Sequence, residues 1–263
     1  MSDSLLLEPF KISPELRLLL GWGSVPARLE DITGLVSGPV DTDDFLALVD
    51  RHRIPAQPYR ALMAFPDLPT QLINGLRQRF DRNQRRSLAL TAETIRLFHS
   101  FHQAGVRICS LKGPLLSLQL FGDLAMRQSN DLDLLTSPSD LLAAEQVLFQ
   151  AGYRRTLPDF DLSPRQQRAY RLISPNYCYA HPDKKVIVEL HWYPFSNPYL
   201  LSPDQTAAMI DRFIEIPLAG SNIRTLSPED TLFYLLLHGA KHRWFRLKWL
   251  CDIAAMLHNP GQI

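Results

Sequence analysis

The stretch Asn130-Asp131-Leu132-Asp133-Leu134-Leu135 decides how the rest of the chain is read. Its alternation fits a β-strand, where residues i and i+2 share a face. Asp131 and Asp133 then project together, while Leu132 and Leu134 turn the other way, toward a core. Two carboxylates one pleat apart repel each other unless a cation neutralises them. Oxygen ligands of this kind suit Mg²⁺ or Mn²⁺. An edge strand carrying two solvated acids is the plainer reading of the same letters.

Upstream context favours the metal. Ser110-Leu111-Lys112-Gly113-Pro114 closes a short apolar run, Val106 to Leu111, and opens a helix from Pro114 to Leu120. A glycine turn from strand into helix leaves backbone N–H groups facing outward, and the helix dipole favours an anion there. Lys112 adds a point charge. Arg127 and Ser129 precede the two-aspartate strand, with Arg127 placed to grip a phosphate or to orient Asp131. A phosphate cradle followed by a metal strand supplies two parts that phosphoryl transfer needs.

A third carboxylate follows in Val186-Ile187-Val188-Glu189-Leu190-His191-Trp192. Glu189 interrupts an apolar run and is costly if buried unpaired. On a neighbouring strand, about 4.8 Å away, it completes a cluster with Asp131 and Asp133. Such a cluster holds two divalent ions. His191 is read as lying off the Glu189 face, in a supporting role at best. On a later helix, Lys241 is the candidate for reaching a triphosphate. His238 and His242, four residues apart, read as packed histidines beside a cleft rather than half of a zinc site. Lys248 and Asp252 read as a helix salt bridge.

The elements around these motifs give an α+β order. Asp41 to about Gly105 is helical, with a long helix from Thr70 to Ala104. Strands follow at Val106–Leu111, Asp131–Leu135, Tyr177–Tyr179 and Lys185–Trp192, with a helix from Ser139 to Gln150. Helices return from Ser227 through His242 and from Leu247 to Leu257. Serine-proline pairs such as Ser163-Pro164 and Ser202-Pro203 mark helix starts, and Gln166 and Gln205 complete capping boxes. The expected division is a helical region over 1–104, an α/β core over 105–226 and closing helices over 227–263.

Four separated motifs now resemble one family. These are Leu111-Lys112-Gly113-Pro114, Phe121-Gly122-Asp123 through Arg127, Asp131-Leu132-Asp133-Leu134-Leu135 and Glu189-Leu190-His191-Trp192. With His238 to Trp244 and Leu247 to Asp252, they resemble the uncharacterised nucleotidyltransferases of the DNA polymerase β-type superfamily, from about residue 42 onward. The resemblance implies a small mixed sheet of five or so strands flanked by helices. It implies metal-dependent transfer of a nucleoside monophosphate from an NTP, with pyrophosphate released. Asp131, Asp133 and Glu189 would be the catalytic metal ligands, and Lys112, Gly113, Arg127, Ser129 and Lys241 would bind the nucleotide. Two departures stand out: Lys112-Gly113 replaces the more familiar Gly-Ser turn, and Glu189 replaces an aspartate.

Composition excludes other classes. The chain has 263 residues, 46% hydrophobic and 21% charged, with net charge +1. That length buries a sizeable core. The longest apolar run, Leu232 to Leu237, is far short of a bilayer span. Met1-Ser2-Asp3-Ser4 does not start like a signal peptide, and three scattered cysteines fit a reducing compartment, so a cytoplasmic location is expected. Arginines number 22 against 6 lysines, which suits phosphate partners and is also a common compositional bias. Residues 77–86 carry five arginines and one aspartate, either a solvated helix face or a nucleic-acid- or nucleotide-facing patch. The expected partners are an NTP and an acceptor left open among a small molecule, peptide, protein and tRNA. Two rivals remain: a degenerate member binding nucleotide or a partner without turnover, and a D-x-D glycosyltransferase. The second lacks a nucleotide-binding α/β half before the D-x-D and leaves Glu189 unexplained.

Overall fold

Period-two alternation gives the sheet two unlike faces. The computed structural model describes residues 12–23, 40–61, 68–195 and 200–258. Residues 62–67 of the expected helical stretch, and the Met1-Ser2-Asp3-Ser4 start, lie outside them. Seven strands form one mixed sheet: β1 (Ile108–Ser110), β2 (Leu132–Thr136), β3 (Arg154–Leu157), β4 (Asn176–Ala180), β5 (Ile187–His191), β6 (Ile214–Leu218) and β7 (Ser221–Thr225). Their order is β3-β4-β5-β2-β1-β7-β6. The central strand β2 runs antiparallel to β1 and parallel to β5.

The helices before the sheet are α1 (Pro14–Gly23), α2 (Thr42–His52), α3 (Ala56–Ala61) and α4 (Thr70–Gln103). Between strands lie α5 (Pro114–Phe121), α6 (Leu141–Gln150), α7 (Pro164–Ile173) and α8 (Pro203–Asp211). The last two are α9 (Pro228–Lys241) and α10 (Leu247–His258). The capping boxes at Ser163/Gln166 and Ser202/Gln205 both form. The α+β class is therefore observed, with a larger sheet than the resemblance implies. The additional strands were hard to read. β3 is Arg154-Arg155-Thr156-Leu157, with almost no apolar alternation, and β6 contains Pro217, which reads as a strand breaker.

Leu132, Leu134, Val188, Leu190, Tyr177 and Tyr179 point to one side, into a core with α4 and α6. Cys109, Leu111 and Leu135 belong to a second core under α5, α9 and α10. A third cluster joins Trp22, Phe45 and Leu72 with Cys251 of α10. The 34-residue α4 serves two of these cores, with Leu72 and Leu76 in the helical one and Leu90, Leu97 and Phe101 against the sheet. The expected borders at 104 and 226 thus divide elements that share packing. No helix among the described residues is long and apolar enough to cross a membrane.

One buried acid fastens α4 to the sheet region. Glu93 accepts from Tyr153 Oη at 2.8 Å and from Lys184 Nζ at 2.8 Å, and also pairs with Arg96. Burial works against its charge, but Arg96, Lys184 and Tyr153 outweigh it and bring its pKa down to about 2. An ordinary glutamate titrates near 4.5, so the folded chain holds the anion more tightly than the unfolded one. The stability this adds is complete above pH 4.5 and drains away as pH falls toward 2. Glu93→Gln is expected to lose roughly 2–4 kcal/mol at neutral pH by urea unfolding. The gap between variant and parent should close across that acidic window. A gap independent of pH would show that the charge is not what fastens the helix.

Candidate active site

The parallel pairing of β2 with β5 sets Asp133 directly beside Glu189. Antiparallel pairing of β4 with β5 then sets Cys178 beside Glu189 and Asn176 beside His191. Because side chains alternate, Glu189 and His191 share one face. This corrects the expectation that His191 lies off that face. A ring nitrogen of His191 and oxygens of Asp133 and Glu189 all lie within 4.8 Å of one another. His191 Nε2 is 3.5 Å from Asp133 Oδ1 and 3.4 Å from Glu189 Oε2. Asp131, in the bend just before β2, lines the same cavity but stands outside that tight trio.

Lys112 reaches into the group from the turn between β1 and α5. Its Nζ is 2.9 Å from Asp133 Oδ1, and both side chains are buried. The turn needs glycine next: Gly113 has φ +87° and ψ −155°, a region that side chains avoid. A Cβ there would meet only ordinary contacts, at 3.8 Å from Leu132 Cδ2. The requirement for glycine is therefore conformational. A substitution such as Gly113→Val strains the backbone whatever it does to a ligand, about 1–3 kcal/mol.

The opposite wall is helical and cationic. Arg53, at the end of α2, joins Lys241, Arg246 and Lys248 along a cavity of about 500 Å³ whose floor holds Asp131, Asp133 and Glu189. That volume lies in the ordinary range for small-molecule sites, about 300–1,000 Å³. Tyr234, His238, His242 and Trp249 fill the wall between the charges. His242 stacks on Trp249 with ring centroids 5.0 Å apart, and His238 lies 4.8 Å from His242. Both histidines sit beside the cleft, as read from sequence. Gly239 admits the Trp244 ring so closely that a Cβ would fall 2.3 Å from Trp244 Cζ3.

Burial and charge set the protonation states. Burial alone would push the Asp133 pKa up, but the Lys112 ammonium and His191 beside it hold it far below the carboxylate range. Burial would likewise discharge Lys112, and Asp133 keeps it charged. The Asp131 pKa is raised, by burial first and then by the negative charge of Asp133. His191 is raised as well, because the two carboxylates outweigh its burial. His238 is pushed down to about 2 by burial and by Lys112, so it is neutral. Lys248 is pushed well down by burial and by the Arg127 charge.

Arg127 and Ser129 have a different setting from the cavity lining. Arg127 Nε lies 3.0 Å from both Asp252 oxygens, and Nη1 donates to Ser129 Oγ at 3.2 Å. Both members of the Arg127–Asp252 pair are almost fully buried. The expected Lys248–Asp252 salt bridge is replaced by this pair, and Lys248 Nζ donates instead to the Gln128 carbonyl at 3.3 Å. Arg127 thereby braces α10, which carries Lys248 and Trp249 to the cavity.

The residues present fit a divalent cation. Neither Asp133 oxygen and neither His191 ring nitrogen has an aligned hydrogen-bond partner, although all four atoms are buried. Two carboxylates and an imidazole converge there, a donor set that divalent ions accept. The sequence profile of a family described as an uncharacterised nucleotidyltransferase matches residues 38–263. The chain belongs to this family. No curated protein matches the chain. In this chain Lys112, the two aspartates and Glu189 line one cavity. The residues missed from sequence are His191, Arg53, Arg246 and Lys248. Only His191 had a usable signal, its i+2 spacing from Glu189.

The brace makes a measurable claim. Asp252→Ala leaves the Arg127 guanidinium buried without its anion and is expected to cost about 3–5 kcal/mol in equilibrium unfolding. The double variant Arg127→Met/Asp252→Leu should recover much of that loss. Equal losses in the single and double variants would contradict a buried pair at this position.

Proposed function

We propose that the cavity binds an NTP with Mg²⁺ or Mn²⁺ and transfers its nucleoside monophosphate to an acceptor hydroxyl, releasing pyrophosphate. The observation that carries this reading is the segregation of charge across one cavity. Carboxylates Asp131, Asp133 and Glu189 line the sheet floor, and Arg53, Lys241, Arg246 and Lys248 line the helical wall. A triphosphate is the ligand whose charge suits the wall while its metal suits the floor. Membership of a nucleotidyltransferase family supports it.

Asp133 and Glu189 would hold the cation, with His191 beside them and Asp131 at the rim. When bound, the cation neutralises the phosphates and lowers the pKa of the acceptor hydroxyl. Lys241 and Arg246 would neutralise charge that builds on the leaving pyrophosphate. Gly113 and the start of α5 would turn backbone N–H groups to the phosphates. The neutral His238 and the stacked His242–Trp249 pair form a dry, rigid wall that keeps these charges at low dielectric.

One observation favours a second reading. The Lys112 ammonium already sits on Asp133, a place where a cation would bind, so a nucleotide-binding member without turnover is the alternative. Incubation with each γ-³²P-labelled NTP and Mg²⁺ or Mn²⁺, followed by measurement of labelled pyrophosphate, separates the two. Turnover supports the enzyme, and binding without pyrophosphate supports the alternative. Glu189→Gln should cut turnover by at least about 100-fold with an unchanged melting curve, since Glu189 is half-exposed and has no lysine or arginine partner among the described residues. Asp133→Asn is the poorer test, because it also strands the buried Lys112 charge. Full activity of Glu189→Gln would remove Glu189 from the site.

A further inference from the structure

A second cavity adjoins the first and has no task in NTP binding. It encloses about 250 Å³ between α2, α4 and the loop before β2. Arg79, Arg82 and Arg86 line it from α4, with Gln128, Ser129 and Asn130 opposite. The arginines are spaced i, i+3 and i+7, which places them on one helix face. Two of them are fixed. Arg79 is held by Asp50 at 2.7 Å, and Arg86 donates to the carbonyls of Lys185 and Asn130 at 2.9 and 2.6 Å. Arg82 is exposed and makes no hydrogen bond or ion pair among the described residues. Asp50 is the only acidic residue in the lining, so the cavity keeps a positive excess.

Its position gives the excess a meaning. The two cavities share the same dividing segments: Arg53 lines the first and Pro55 the second, while Gln128–Asn130 line the second and Asp131 the first. The Lys248–Gln128 contact lies on this divide. Cations therefore continue past the carboxylates, from Arg53 to Arg79, Arg86 and Arg82. One triphosphate is accommodated by the first wall alone. A continuing row of guanidinium groups fits a linear polyanion, because each planar fork matches a phosphate. Resting on the nucleotidyltransfer reading of the first cavity, we propose that the acceptor is a single-stranded polynucleotide end. Its backbone phosphates lie on Arg79, Arg82 and Arg86, and its terminal hydroxyl enters the carboxylate cavity. A duplex end is too wide for a cavity of about 500 Å³. In the step itself the terminal oxygen forms a bond to the α-phosphorus and the bond to the β-phosphate oxygen breaks. The hydroxyl proton leaves to solvent, and the products are the extended strand and pyrophosphate.

The test reads binding, so it does not depend on turnover. Fluorescence anisotropy would follow a short fluorescein-labelled single-stranded RNA on the full chain at several salt concentrations, with ATP–Mg²⁺ affinity measured in parallel. The RNA should bind at about 50 mM salt and more tightly than AMP, since a strand engages several cations at once. Arg82→Glu should weaken RNA binding about tenfold or more and lower the log–log salt slope by roughly 0.7. It should leave ATP–Mg²⁺ affinity and the melting curve unchanged. Arg85→Glu, on the same helix but outside the cavity, has the same net charge change and should weaken RNA far less. Unchanged RNA affinity in Arg82→Glu, equal losses in both variants, or RNA no tighter than AMP would each overturn the proposal. If only RNA binding fails, the acceptor assignment falls and the NTP reading stands. Failure of all four NTP–Mg²⁺ complexes to bind the parent chain would remove both.

Discussion

The buried ion pair of Lys112 with Asp133 is the constraint around which the site is arranged. A carboxylate at the centre of a sheet is tolerable only with a partner charge. The partner arrives from the turn after β1, and that turn is possible because Gly113 takes a backbone conformation closed to other residues. The start of α5 is thereby tied to β2. Glu189 and His191 then follow from strand pairing, since the parallel register leaves no freedom in what faces Asp133.

The wall depends on a second buried pair. Arg127 reaches across from the loop before β2 to Asp252 on α10. It fixes a helix that is otherwise joined to the N-terminal helices through Cys251 and the His52–Leu247 contact. The cavity is therefore bounded by three parts of the chain that are far apart in sequence: the end of α2, the strand–turn centre and the last two helices. The strand–turn centre brings three carboxylates and Lys112, and the end of α2 and the last two helices bring Arg53, Lys241 and Arg246.

Much of the fold was legible before any coordinates. The alternation at Asp131–Leu135, the serine-proline caps and the long periodic helix from Thr70 each reflect local physics, and each formed close to its expected limits. β3 and β6 were not legible, because their residues lack alternation and owe their strand form to neighbours. Asp131, Asp133 and Glu189 do line one cavity. Arg127 illustrates the opposite case. A loop arginine before a metal strand reads naturally as a phosphate ligand, and only the distant Asp252 shows its bracing role. Arg53 and Arg246 were invisible for the same reason: nothing local marks a surface arginine that tertiary packing turns inward.

The sheet margins bear on how copies of this protein meet. At one margin, β6 carries Glu215 and Pro217. At the other, β3 opens with Arg154 and Arg155 and breaks register between Arg155 and Leu157. Charge, a missing N–H and an irregular ladder all discourage a foreign strand from adding to the edge. Crowded molecules are thus kept from zipping together side by side, although their sheet has seven strands and two open borders.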